Sequence, residues 1–423
     1  MVGGSVAGGT LAGAEASDGR QTFGAEELAV VLSRYDLGWL DTVQPYPHGS
    51  RKAPKLLLRR RQKATPGGDA PEEDRDDDAL ELEATGPDNA LNVLNVPPDA
   101  SAPDDPPSPK AAPADDDEIW LLKRRARGRG GDPRIAFCHA VQRHLSAHRF
   151  PVAPLVLNRE DQTVTAVGQH RYELFEFING KTYDHSLEAT GQSGRMLAVF
   201  HQLMRHYDYA ADSFDPPTAG YHRADAVARA FRALPTTVMA TDPDVNRVAL
   251  GTRSQFLQAA TDQAADAADA KGLSDWPSQV VHADWHPGNL IFAGQHGQQV
   301  AAVIDFDAAR VQPRVMDVAN GALQFSIVGG GEDLSAWPAA PDEGRFKRFI
   351  RGYDAVPGAV LSRAELRILP QLMIEALIAE CAIPIAATGR FARNPGAVFL
   401  EMVERKVRWL QDHSDDLFRA VDA

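Results

Sequence analysis

The 423 residues predict an α+β chain of two lobes: a small lobe built on an antiparallel sheet, then a larger and mainly helical one. Three observations point there. Up to Ile178 the apolar residues come in short runs separated by Gly- and Pro-bearing turns. From Leu187 onward they recur at helical spacing over long segments. One polar hairpin, Leu290–Phe292 with Val300–Ile304 around GQHGQQ, interrupts the helices.

Residues 1–22 are rich in Gly, Ala and Ser and predict a disordered N-terminus. The N-lobe is expected over 23–178. FGAEELAVVLSRY, from Phe23 to Tyr35, spaces Leu28, Val31 and Leu32 as one helix face. Apolar runs at Leu40–Val43 and Leu56–Leu58 read as strands joined by the turn-rich YPHGSRKAP. EIWLLKRR, beginning at Glu118, reads as the next strand. Arg134–His148 reads as a helix, and Val164–Val167 and Tyr172–Ile178 as two more strands. The C-lobe, 179–423, is expected to hold helices at Met196–Met204, Ala224–Leu234, Arg253–Ala270, Phe346–Tyr353, Glu365–Ile383 and Ala397–Asp412.

The net charge of −14 is not a property of the whole chain. Residues 63–117 hold 16 acidic and 3 basic residues, so almost all of the imbalance lies there. This tract carries ten prolines and no aromatic residue. It cannot bury enough apolar surface to offset its ordering entropy, which predicts a disordered insertion between two strands. Two distant cysteines, Cys138 and Cys381, exclude a disulfide framework and suit a reducing, cytoplasmic setting. The N-terminus has neither the basic start nor the apolar core of a secretory signal. The most apolar stretch, Leu369–Thr388, is interrupted by Glu375, Glu380 and two prolines, so no membrane span is expected.

The densest chemistry lies in VVHADWHPGNL, Val280–Leu290, followed by VIDFD. Phosphoryl transfer needs a carboxylate near the attacking hydroxyl and Mg²⁺ to neutralise and align the phosphates. Mg²⁺ takes oxygen ligands, commonly one or two carboxylates with phosphate oxygens and water. Asp284 and Asn289, five residues apart, and Asp305 on a following strand end supply such a set. The order H-x-D-x-x-x-x-N then D-F is that of the protein-kinase catalytic signature. A zinc site on His282, Asp284 and His286 would need a further ligand, and His296 and His413 lie in unsuitable places. Upstream, Lys123 ends an apolar strand and could reach nucleotide phosphates. Gly49 and Ser50 form the small-residue turn between the first two strands, where backbone amides could approach phosphate.

HADWHPGNL, VIDFD and the PRVMDVA that follows resemble the aminoglycoside phosphotransferase, choline kinase and homoserine kinase-like superfamily. LLKRRARGRGGDP, FCHAVQRHLSAHRFPVAPLV, YELFEFINGKTYD and LAVFHQL are most similar to its spore-coat-kinase and type II homoserine-kinase-like branch. The resemblance covers roughly Phe23–Arg60 and Glu118–Asn320. It implies a bilobal protein-kinase-like fold and transfer of phosphate from ATP, with Mg²⁺, to a hydroxyl of a small molecule. By motif position it implies Asp284 as catalytic base, Asn289 and Asp305 as Mg²⁺ ligands, and Lys123 on the α and β phosphates. The backbones of Glu176 and Ile178 would meet adenine, Asp317 would buttress the catalytic loop, and His282 would anchor it.

Three features depart from that pattern. The helix after the lysine strand, Arg134–His148, contains no acid to pair with Lys123, so another acid or the phosphates alone must hold it. Asp305-Phe306-Asp307 replaces the usual D-F-G, and no activation-segment insert follows. The acidic insertion is unusual for a small-molecule kinase. The missing helix acid motivates an alternative reading, a nucleotide-binding pseudokinase or scaffold. Basic runs at Arg59–Arg61 and at Arg124, Arg125, Arg127 and Arg129 lack interleaved aromatics, so no nucleic-acid partner is expected. Tyr221, His222, Glu375 and Glu380 are the polar candidates for selecting the acceptor.

Overall fold

The computed structural model describes residues 22–47, 53–61, 117–126, 131–210, 214–294, 299–329 and 333–422. Gly49, Ser50, Arg127, Arg129 and nearly all of the expected disordered segments lie outside them. In chain order the elements are α1 (Ala25–Leu32), β1 (Thr42–Tyr46), β2 (Lys55–Arg61), β3 (Asp117–Arg124), α2 (Asp132–Ala147), β4 (Thr165–Val167) and β5 (His170–Glu176). There follow α3 (Leu187–Met204), α4 (Asp225–Thr241), α5 (Arg247–Asp269), β6 (Ser278–Val281), β7 (Leu290–Ala293), β8 (Gln299–Val303) and β9 (Arg310–Pro313). The chain ends with α6 (Val315–Ser326), α7 (Glu343–Asp354), α8 (Arg363–Thr388), α9 (Gly396–Asp412) and α10 (Ser414–Val421).

Two compact units emerge. The first takes its described residues from Met1–Gly86, Asp117–Arg129 and Leu157–Leu174. The second takes them from Gly130–Val156 and Phe175–Ala423. The division thus falls after Leu174 and assigns α2 to the larger unit, whereas the sequence boundary at 178 keeps that helix in the smaller.

The first unit is organised by a five-stranded sheet in the order β1-β2-β3-β5-β4. β2 and β3 are antiparallel, and their last register pair is Arg61 with Asp117. Residues 62–116 therefore join the ends of adjacent strands, as expected of an insertion. Leu58 and Leu122 are fully buried on this sheet. Arg124 and Arg125 are buried as well. Arg124 donates to Glu27 of α1 at 2.7 Å, and Arg125 to Glu173 of β5. Neither is a surface cation available to a polyanion.

The second unit is built around α8, which packs against α4, α5, α6 and α9. Ser362 and Glu365 form a reciprocal capping box at its start, and Gly389 ends it at φ 72°. By length and composition this helix would pass as a membrane span, contrary to the expectation from its acids and prolines. Its burial against four helices makes it a core helix instead. Among the described residues, three prolines lie beyond the first turn of a helix: Pro235 in α4, and Pro370 and Pro384 in α8. The expected end of α4 at Leu234 is therefore too early. Each proline removes one backbone hydrogen bond, yet Leu234 and Val238 on either side of Pro235 are fully buried, and that packing carries the helix onward.

Helices α3 and α7 meet along a glycine seam. A Cβ at Gly194 would overlap the Phe349 carbonyl, and one at Gly352 would overlap the Gly191 carbonyl. This close approach sets His201 of α3 beside Tyr353 of α7, with 2.8 Å between His201 Nδ1 and the phenol oxygen. Gly194→Ala and Gly352→Ala should each lower stability by about 1–3 kcal/mol, because backbone rather than a mobile side chain must move. Thermal melts of the two variants check this. A melting temperature equal to wild type would mean the seam is loose.

Candidate active site

The site grows from two short ladders of the second unit. β6 pairs antiparallel with β9, and β7 with β8. The loop from β6 to β7 carries His282 to Asn289, and the turn after β8 carries Asp305 to Ala308. Two bonds lock these segments together. The His282 Nε2–H donates to the Ile304 carbonyl at 3.2 Å, and the Ile304 amide donates to the Asn289 carbonyl at 3.0 Å. His282 is fully buried, with its ring 4.9 Å from Phe306 and 5.5 Å from Trp285.

Asp317, in the first turn of α6, holds the loop from below. Its carboxylate accepts the His282 amide at 2.7 Å and the Ala283 amide at 2.7 Å. Ala283 adopts φ 62°, a left-handed conformation that costs an L-residue roughly 1–2 kcal/mol. The two amides converge on one carboxylate only because the backbone turns there. Behind Asp317 stands His201, at 3.3 Å, and behind His201 stands Tyr353. Burial lowers the His201 pKa although Asp317 opposes it, and burial raises the Tyr353 phenol. Both groups are therefore neutral at physiological pH. Tyr353 O–H donates to His201 Nδ1, and His201 Nε2–H donates to Asp317.

In the loop, Asn289 Nδ2 donates to the Asp284 carbonyl and to Asp284 Oδ2, each at 3.0 Å. His286 Nε2 lies 3.7 Å from Asp284 Oδ2, and the Asp284 side chain is 42% exposed. Burial alone would raise the Asp284 carboxyl. The His286 charge and the Asn289 bond outweigh it and hold the carboxyl below the ordinary aspartate value. The same pairing, with Asp305 contributing, raises the His286 pKa. Asp305 sits at φ 61°, and the adjoining Phe306 is 1% exposed. Arg134 of α2 donates to the Asp307 carbonyl at 2.8 Å and fixes the end of this turn.

The structure thus brings Asp284, Asn289, His282, Asp317 and the Asp305 turn into one bonded assembly. The amide nitrogen of Asn289 is engaged by Asp284, which leaves its Oδ1 as a hard oxygen donor. That carbonyl and the Asp305 carboxylate form a set suited to Mg²⁺. Among the described residues no group of three His, Cys, Asp or Glu side chains able to hold a metal occurs.

The expected adenine-facing stretch is anchored separately. The Glu176 amide donates to the Pro154 carbonyl at 2.9 Å, and Ile178 follows the end of β5. Two residues on, the Gly180 backbone passes so near Phe292 and Ile291 that a Cβ there would collide with both. In the first unit, Lys123 Nζ lies 3.9 Å from Glu173 Oε2.

Of the acceptor candidates, His222 is bonded to Glu375 at 2.9 Å and to Asp269 at 3.1 Å, and Tyr221 donates to the Met316 carbonyl at 2.9 Å. Glu380 receives Gln324, and burial together with the Asp284 charge pushes its carboxyl well above the usual range. Sequence reasoning missed His201, Tyr353 and Glu173. His201 lies in the quoted motif LAVFHQL and Glu173 in YELFEFINGKTYD, but their partners, like that of Tyr353, lie across long stretches of chain.

A model of the phosphotransferase enzyme family matches residues 114–361. Homoserine kinase from Zymomonas mobilis subsp. mobilis is 25% identical over 187 residues, which cover 44% of this chain. The match spans 52%, about half, of that relative's length. A microcompartment-associated aminopropanol kinase superposes with a TM-score of 0.60 at 13% identity, covering 93% of this chain and 98% of its own. An aminoglycoside phosphotransferase from Alicyclobacillus acidocaldarius superposes at 0.47 with 17% identity, covering 71% and 88%. The fold is α+β and protein-kinase-like.

Asp317→Asn keeps the shape but leaves one acceptor oxygen for two loop amides. It should cost about 1–3 kcal/mol and speed hydrogen exchange at His282 and Ala283. Ala283→Gly should be neutral or mildly stabilising, since Gly accepts this φ freely. Exchange mass spectrometry with thermal melts reads both. Unchanged protection in Asp317→Asn would show the loop to be held otherwise.

Proposed function

The chain belongs to the phosphotransferase enzyme family, and on that premise we propose that it transfers the γ-phosphoryl group of ATP, with Mg²⁺, to a hydroxyl of a small molecule. The observation that carries this reading is the bonded pair of Asp284 and Asn289, set on a loop that Asp317 clamps from behind. Asp284 accepts the acceptor hydroxyl and aims its oxygen at the phosphorus. The new O–P bond forms as the bridging bond to ADP breaks, and the hydroxyl proton passes to Asp284. A depressed pKa makes Asp284 a weak base, which suits a loose transition state in which orientation precedes proton transfer. Asn289 Oδ1 and Asp305 would hold Mg²⁺, which neutralises phosphate charge when bound. Lys123 would contact the α and β phosphates, Gly49 and Ser50 would cover them with backbone amides, and the Glu176 and Ile178 backbones would meet adenine.

For the acceptor, an amino-bearing alcohol is favoured. Homoserine, named in the Zymomonas relative, is one. Glu380 supports this class: its carboxyl is partly buried beside Gln324 and repelled by Asp284, a situation that an ammonium group would relieve. The alternative reading, a pseudokinase, rests on the missing helix acid. The nearness of Glu173 to Lys123 weakens that motive.

Asp284→Asn should reduce turnover by roughly 10²–10⁴-fold while Mg·ATP still binds. Calorimetry and a mass-spectrometric screen of phosphorylated amino alcohols measure the two halves. A wild-type chain that binds no Mg·ATP sinks the reading. A second expectation concerns pH. Glu380 binds a cation only when ionised, and its pKa is raised, so the acceptor KM should fall as pH rises through that range. Glu380→Gln should raise KM and flatten the dependence; an unchanged profile would remove Glu380 from acceptor binding.

A further inference from the structure

We propose that Glu173, a residue of the sheet, takes the part that a helix glutamate plays in other kinases: it positions Lys123 for the nucleotide. The inference rests on the reading of Lys123 as a phosphate contact. In that reading a lysine on the third strand needs a carboxylate to hold its ammonium group in place. The helix that should provide one, α2, has Asp132 in its first turn and no other acid. Glu173 stands on β5, the sheet neighbour of β3. Its side chain is 1% exposed. One carboxylate oxygen lies 3.9 Å from Lys123 Nζ, and the other accepts Arg125 Nη1.

Strand alternation accounts for the arrangement. Lys123 of β3 and Arg125, one residue past its end, project to one face of the sheet, and Glu173 meets them there. Arg124 and Tyr172 project to the other face, where both bond Glu27. Each face of the sheet thus has its own carboxylate, Glu173 fully buried and Glu27 partly exposed. A buried carboxylate between two buried cations is retained only if it is well paired, since an isolated charge there costs several kcal/mol. The arrangement has a functional consequence. Lysine and carboxylate belong to one sheet of one unit, so their pairing does not depend on the position of any helix.

The test uses the full chain and Mg·AMP-PNP as probe, so no acceptor need be known. Calorimetry compares R125M, R125M/E173Q, R125M/K123M and R125M/E173Q/K123M. Removing Arg125 together with Glu173 leaves the buried trio with its original net charge, and melting curves check that each variant folds. If Glu173 acts through Lys123, E173Q weakens nucleotide binding roughly 30-fold while Lys123 is present. With Lys123 already Met, it adds nothing. Equal affinity with and without Glu173, or a loss that persists without Lys123, overturns the inference. If the glutamine variant loses its melting transition, Glu173→Asp carries the same comparison: affinity falls several-fold with Lys123 and is unchanged without it. A wild-type chain that binds no Mg·AMP-PNP overturns instead the phosphotransfer reading beneath.

Discussion

The clamp of Asp317 on the amides of His282 and Ala283 is the contact on which the candidate site depends. It requires Ala283 at positive φ, which an L-residue adopts only where the surroundings compensate. Two charge-assisted bonds at 2.7 Å supply that compensation. From this turn the chain redirects Asp284 outward, while His282 dives under the Asp305 turn and bonds Ile304. The clamp is itself fixed from α3 and α7, through His201 and Tyr353. That explains why the glycine seam far from the chemistry bears on it: a wider gap between those helices would pull the two rings apart.

Charge placement follows one rule in both units. Many buried ionic groups are met by partners from distant sequence. Arg314 holds Glu365 with two bonds and also donates to the Ala359 and Val360 carbonyls. Lys406, 3% exposed, gives its ammonium protons to the Val328 and Pro338 carbonyls, and burial lowers its pKa to about 8. Two acids of α8 differ in this respect. Glu375 is closed into a network with His222 and the Arg223 amide. Glu380 has Gln324 and an unfavourable neighbour in Asp284.

Periodic pattern made most of the helices legible, because their apolar faces are continuous: the expected Ala397–Asp412 differs from α9 by one residue. Pattern failed where packing overrode local chemistry. The expected helix stops at Leu234, just before Pro235, yet the buried Leu234 and Val238 carry α4 past it. The β6–β9 ladder was invisible, since four-residue strands whose partners lie 29 to 35 residues apart leave no local signature. The residues of the loop were readable because phosphoryl transfer constrains their spacing. Their supports were not: Tyr353 meets His201 from 152 positions away, and Glu173 is one acid in an ordinary-looking strand.

These details bear on how such a site is kept ready. Protein kinases commonly control activity through two movable parts, the helix bearing the lysine's glutamate and the phenylalanine of D-F-G. Here the carboxylate near Lys123 belongs to the sheet. Phe306 is sealed against His282 and Phe200, the following residue is Asp307 rather than glycine, and its carbonyl is held by Arg134. Moving Phe306 would break the packing that buries His282 and strain the turn at Asp305. Each half of the machinery is thus fixed within its own unit. A switch of either kind would first have to break these contacts.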